Sequence, residues 1–331
     1  MASGLRALRR RILTPNVSET SMETRGFHVK NATSKELLET IGRTFLTGYG
    51  YAVEARSATD AEVPLEQVPV QFRGFAYEGA AMGATMIDGM PGTSGNRFSA
   101  FLAGRAAQHV YMAYIGVGWA MARLPKFRWS RLHAPDPLLR WLVLDGYGFH
   151  QAYFRTDKYV HGHFTDPSFS WPPDGPRWYA NRVIDQGIGR AMWFVGGTDP
   201  EVVASMIDKF PQARRADLYS GAALASCYAG GVDETELRKF SERAADYRPE
   251  VLQGCAFAAT ARVHAGLVVP HTQLATQVLC GITPEQAAKV CENALPAQVL
   301  AGPLEPGELP AYEVWRQRIA AELMSLGGPG S

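Results

Sequence analysis

The chain has 331 residues, 46% of them apolar and 20% charged, with a net charge of +1. That length suits one large core or two ordinary domains, and near-neutrality removes the bulk electrostatic case for nucleic acid or an anionic membrane surface. The longest apolar run, Val110 to Ala122, is shorter than the roughly 20 residues a bilayer span needs, so a cytoplasmic protein with no integral membrane segment is expected.

The first predicted element is a basic stretch, Leu5 to Leu13, carrying Arg6, Arg9, Arg10 and Arg11. It resembles the start of a signal peptide, but Pro15 and polar residues follow it where an apolar stretch would be needed. Residues 1–30 are read as a basic arm.

From Gly48 onward one short pattern recurs: glycine, any residue, a small residue, any residue, a small residue. Its copies begin at Gly48, Gly79, Gly116, Gly146, Gly187, Gly221 and Gly254, spaced 31, 37, 30, 41, 34 and 33 residues apart. The mean interval of about 34 suits a helix-turn-helix repeat. On a helix the first and last slots share a face and the middle slot points nearly opposite. Small residues on both faces would let each motif helix pack closely between two neighbours. Glycine inside a helix costs about 0.5–1 kcal/mol relative to alanine, and close packing is a plausible compensation.

The intervals supply second helices. Thr198-Asp199-Pro200-Glu201 follows a Gly-Gly stop and opens a helix that runs to about Phe210, before Pro211. Gly230-Gly231 and Asp233-Glu234 repeat that punctuation, with a helix towards Tyr247. Thr283 and Gln286 have capping-box spacing. Three stretches break the pattern: a Gly-rich loop at 88–98, an aromatic, proline-rich insertion at 156–178, and a tail from about Pro303 with one strap helix at 311–326. The fold class read from these elements is all-α: an α-solenoid of about seven helix-turn-helix, TPR-like repeats over residues 31–300, closed by a strap and tail at 301–331.

No nucleotide-binding, nucleophile-elbow or zinc-protease signature is present. Cys227, Cys255, Cys280 and Cys291 form no CxxC and read as small thiols in a reducing compartment. His161-Gly162-His163, with His150 and Asp166, places three imidazoles and a carboxylate close together, but this spacing is weak evidence and no metal is assigned. The last motif slot holds Ala or Gly except in the fourth copy, where it is His150; that histidine either fills a core gap or projects into a pocket. The residue before each motif glycine is polar in six copies: Thr47, Glu78, Asp145, Gln186, Ser220 and Gln253, with Ile115 the exception. In one phase these would form a stripe, with Glu78, Asp145, His150 and the adjacent Asp185 as acid/base candidates. The alternative is that they bond neighbouring helices or face water. The many aromatics are either core filler or the walls of an elongated cleft. In the second case Trp119, Tyr147 and Trp178 would contact a ligand, with Arg155 and Arg190 as polar anchors.

Four longer strings carry a resemblance: Arg73 to Gly83, Gly116 to Leu124, Leu144 to Phe154 and Tyr179 to Arg190. They resemble a bacterial domain-of-unknown-function family, DUF1702, found in enediyne natural-product gene clusters, over most of residues 1–296. The resemblance implies an accessory role in enediyne biosynthesis, acting on or binding a polyene-derived polyketide intermediate. It brings no catalytic residue and no cofactor with it, and leaves open whether the chain is an enzyme. The expected partner is a polyene or other apolar small molecule, with other enediyne biosynthetic proteins as further candidates. The competing reading is a non-catalytic helical-repeat scaffold that binds a partner protein or sequesters a product.

Overall fold

A computed structural model describes residues 2–93, 95–297, 299 and 308–326, and the described residues contain helices and no strand. In chain order the helices are α1 (Ala2–Leu13), α2 (Met22–Arg25), α3 (Ala32–Glu54), α4 (Ala58–Leu65), α5 (Val70–Asp88), α6 (Arg97–Leu102), α7 (Val110–Arg123) and α8 (Leu142–Phe154). They continue with α9 (Arg177–Val195), α10 (Pro200–Ile207), α11 (Gln212–Ala229), α12 (Glu234–Arg243), α13 (Arg248–His264), α14 (Pro270–Ala275), α15 (Pro284–Asn293) and α16 (Ala311–Leu326). None is long and apolar enough to cross a membrane.

The seven motif glycines fall on α3, α5, α7, α8, α9, α11 and α13, and each of these helices packs against the next one in that order. The reason is visible at Gly187 and Gly189. A Cβ on Gly187 would lie closer than 3.0 Å to the Asp145 carbonyl oxygen of the preceding helix, and one on Gly189 equally close to Leu218 O of the following helix. The first and middle slots therefore face opposite neighbours, and the helices meet backbone to backbone. From the third copy on, the leading glycine packs on the carbonyl of the residue just before the previous copy's glycine, as Gly116 does on Glu78 and Gly254 on Ser220.

The local punctuation forms as read. Asp199 caps α10 by accepting from the Glu201 and Val202 amides, and both halves of a capping box are present at Asp233/Glu236 and Thr283/Gln286. The expected second helix of each repeat is less regular. It is an α-helix of eight to ten residues at α4, α10 and α12 and of six at α6. Between α7 and α8 it is replaced by 3-10 turns at Lys126–Arg131 and Leu139–Trp141, and between α8 and α9 by one π turn and a proline-bearing loop. Pro167, Pro172, Pro173 and Pro176 supply no amide donors, which stops a helix from forming there.

The row of motif helices curls on itself. Ile41 and Phe45 of α3 line the same central cavity as Phe194 of α9 and Tyr228 of α11. Phe75 of α5 meets Tyr228 edge-on at 5.1 Å between ring centroids, and Arg262 of α13 donates to Gln71 O on α5 at 3.1 Å. Two terminal segments close the ends. In the basic arm, Arg9 donates to Val53 O at 2.6 Å and Arg10 pairs with Glu54 at 2.8 Å, so cations sit at the C-terminal end of the α3 dipole. The strap helix α16 docks on α13 and α15, its Arg316 reaching Asp217 at 2.8 Å and Gln253 at 3.1 Å. Residues 301–307 and 327–331 of the expected strap and tail lie outside the described residues. The four cysteines are unbridged, with Cys280 partly exposed and the other three buried.

Candidate functional site

Residues three and seven places beyond a motif glycine lie on one face of their helix. In the middle copies that face looks inward. The +3 positions supply Met82, Trp119, Phe149, Arg190 and Leu224 to the central cavity, and the +7 positions supply Arg123, Tyr153, Phe194 and Tyr228. Phe45, Phe75 and Met112 complete a largely apolar wall. The cavity holds about 830 Å³ of unfilled space, counting the part open to solvent. Trp119 in its wall packs against Phe45 at 4.3 Å and Phe149 at 5.2 Å between ring centroids.

Polar groups occupy two places. At the rim are Glu19 and Arg123, both partly solvent-exposed, beside Pro15 and Thr20 of the arm. The inner group is Glu78, Arg190 and the Tyr228 hydroxyl, all buried, and that hydroxyl has no hydrogen-bond partner. Glu78 accepts from Trp119 Nε1 at 2.9 Å, and Arg190 Nη2 lies 3.9 Å from the same Oε1. Burial pushes the Glu78 carboxyl up from 4.5 to about 7; Arg190 and the Trp119 hydrogen bond oppose that rise and Asp145 adds to it. A carboxyl poised there can donate or accept a proton near neutral pH.

Of the other predicted residues, Asp145 stands behind Arg190 rather than in the cavity. It forms an ion pair with Arg190 through one oxygen and accepts from Gln186 Nε2 at 2.9 Å through the other. Its place is to hold the guanidinium. His150 is next to no carboxylate: its Nε2 accepts from Arg123 Nε at 3.2 Å, its Nδ1 has no partner, and its ring stands edge-on to Trp119 at 5.5 Å. Burial, then Arg123 and Arg155, push the imidazole down to about 3, so it is neutral and orients Arg123. Asp185 accepts from Arg214 Nε at 2.8 Å and from its Nη2 at 2.5 Å, and lines a separate small cleft with Tyr147. Burial raises its carboxyl to about 6 against the opposing pull of Arg214. Arg155 is exposed at the end of α8, and Trp178 is 53% exposed at the start of α9.

The structure thus brings Glu78, Trp119 and Arg190 together, places Asp145 and His150 one layer back, and leaves Asp185, Tyr147, Arg155 and Trp178 elsewhere. From Asp145 on, the polar stripe is buried between helices and against α16: Ser220 donates to Gln253 at 2.8 Å, Arg316 donates to the same Gln253 oxygen, and Gln186 also reaches the Tyr312 hydroxyl at 3.3 Å. His163 packs on Phe210 at 4.1 Å, and among the described residues no three His, Cys, Asp or Glu side chains are grouped to hold a metal ion. Tyr228, Arg123, Phe45 and Met112 escaped the sequence reading. The signal for the first two was present in the +7 register, since Arg123, Tyr153, Phe194 and Tyr228 are the equivalent residue of four successive copies.

Neither a curated protein nor a solved structure matches the chain. One family model does, spanning residues 4–323 and so nearly the whole curl of helices and both closing segments. The chain belongs to the family described as protein of unknown function DUF1702.

Proposed function

We propose that this chain acts in the cytoplasm as an accessory protein of enediyne biosynthesis, binding a polyene-derived polyketide intermediate in the central cavity and exchanging a proton with it through Glu78. One observation carries the chemical part of this reading: a buried carboxyl, raised to about 7 by burial and set beside Arg190, faces a cavity walled mostly by aromatic and aliphatic side chains. The pathway part rests on the resemblance of the four sequence strings. We also read the seven motif helices as degenerate TPR-like helix-pair repeats, supported by the mean spacing of about 34 residues.

Protonated Glu78 gives its proton to one carbon of a conjugated chain, breaking one π bond and leaving a delocalised cation. The faces of Trp119 and Phe149 favour such a cation, as Phe149 already does for the Arg190 guanidinium at 5.1 Å. Return of a proton from a different carbon to Glu78 restores a neutral chain with its double bonds shifted. Asp145 keeps Arg190 in place, and Arg190 keeps the Glu78 carboxylate from being prohibitively costly when it forms.

The test is incubation with the polyene released by the cluster's polyketide synthase in deuterated water, following absorption bands and mass. Wild type should shift the bands and add deuterium, while Glu78→Gln should bind the polyene and do neither. Equal exchange by both proteins sinks the role of Glu78. Tight binding with no conversion by either points to sequestration instead.

A further inference from the structure

Beside the central cavity lies a second one with about 420 Å³ of unfilled space, counting the part open to solvent, bounded by Tyr111, Ile115, Phe257, Ala261 and Trp315. Three side chains, Met112, Leu224 and Tyr228, face both cavities and form the partition between them. Two of the three are a methionine and a leucine, whose side chains can swing between rotamers without moving the backbone. Tyr228 is more constrained, with Arg262 over its ring at 4.1 Å. The far wall is firm: Trp315 Nε1 donates to Cys291 O at 2.7 Å, fixing the indole as an end stop. Three of the second cavity's lining side chains carry hydroxyls, Tyr111, Tyr228 and Thr260; Thr260 donates to Ala256 O at 2.8 Å, and the rest of the lining is aliphatic and aromatic, so an apolar group is what that space suits.

We infer that the two cavities together accept one linear apolar chain, which passes Met112 and Leu224 and ends in hydrocarbon against Trp315, so that the second cavity sets the chain length the protein prefers. This rests on the reading of the central cavity as a small-molecule site. It also fixes orientation. Among the described residues that line the central cavity, the charged side chains open to solvent are Glu19 and Arg123 at the rim, so a polar head stays there. Glu78 and Arg190 line the first cavity, between rim and partition, and therefore meet the interior of the chain and not its tip.

The test uses linear carboxylic acids that displace a fluorescent conjugated tetraene fatty acid from the purified protein. For wild type the affinity should rise about fourfold per added methylene, over a series of roughly eight to eighteen carbons, and then stop rising. Ala261→Leu, which fills only the second cavity, should bring that stop about three carbons earlier and leave the shortest acids as in wild type. Ala258→Leu should do the same from the adjacent turn. An unchanged stopping length, or equal weakening at every length, overturns the inference. If neither variant folds, wild type alone decides: an acid with a bulky tert-butyl tip that binds as well as its linear isomer also overturns it. Failure of every acid to displace the probe removes the central-cavity reading itself, whereas binding of short acids without a length dependence removes only this inference.

Discussion

Glu78→Gln tests the electrostatics of the cavity without any ligand. In the folded protein burial lifts this carboxyl to about 7, against 4.5 for the same group in water. A carboxyl with a raised folded pKa holds its proton more tightly in the folded state than in the unfolded one. Its contribution is therefore most favourable to folding at low pH, and stability is lost as pH rises from the unfolded value through the folded one. Integrated between about pH 5 and pH 8, the raised pKa implies a loss of about 2–3 kcal/mol that wild type suffers and the glutamine variant does not. Glutamine is close to isosteric and keeps an oxygen for Trp119 Nε1. Any fixed penalty from its amide adds a constant that does not vary with pH. The assay is urea unfolding of both proteins across that pH range, read as the difference in unfolding free energy. That difference should move by about 2–3 kcal/mol in favour of the variant as pH rises. A difference that stays flat, or moves the other way, refutes the claim that Glu78 is held near neutrality, and with it the basis for proton exchange there.

Three further outcomes follow from particular contacts. Gly146→Ala puts a methyl against the Ile115 carbonyl oxygen, closer than real contacts allow, and should cost about 1–3 kcal/mol, whereas Gly4→Ala on exposed α1, with open space around it, should be neutral or gain up to about 1 kcal/mol. Thermal denaturation of the pair checks this; equal effects contradict the backbone-contact account. Asp145→Leu leaves Arg190 buried with only the more distant Glu78, and should lose about 3–5 kcal/mol, with much of that loss recovered in the Asp145→Leu/Arg190→Met double variant. An additive cycle by urea unfolding argues against the pair. Finally, the His150 imidazole should show no protonation by NMR above about pH 4, because burial and two arginines hold its pKa near 3. A midpoint between about pH 6 and 7 shows that the ring is reached by solvent.

Much of the helical scaffold was legible from residue pattern alone. The seven motif helices, the caps at Asp199, Asp233 and Thr283, and the strap helix each follow from short-range rules, because a helix's hydrogen bonds and caps join residues only a few positions apart. The regular helix pair failed between α7 and α9, where 3-10 turns and a proline-bearing loop stand in for the second helix. For the site, Glu78 and Arg190 were picked out through the stripe and the polar anchors, and Trp119 through its aromatic character. His150 was grouped with the carboxylates because it broke the small-residue rule, yet it faces Arg123, since a position on a helix does not say which neighbour its side chain meets.

The instructive miss lies in the motif itself. The motif leaves its fourth slot open to any residue, and in five copies that slot holds a large side chain, Met82, Trp119, Phe149, Arg190 or Leu224, apolar in all but one. What they share is direction, and the +7 residues Arg123, Tyr153, Phe194 and Tyr228 extend the same face. By itself, the residue pattern determined that these side chains lie on a common face of successive helices. Only the tertiary structure decided that the face encloses a hollow instead of meeting solvent or another layer. The reason is that helical period fixes angles within one helix. Curling the row depends instead on the small rotation at each backbone contact, accumulated over the seven motif helices.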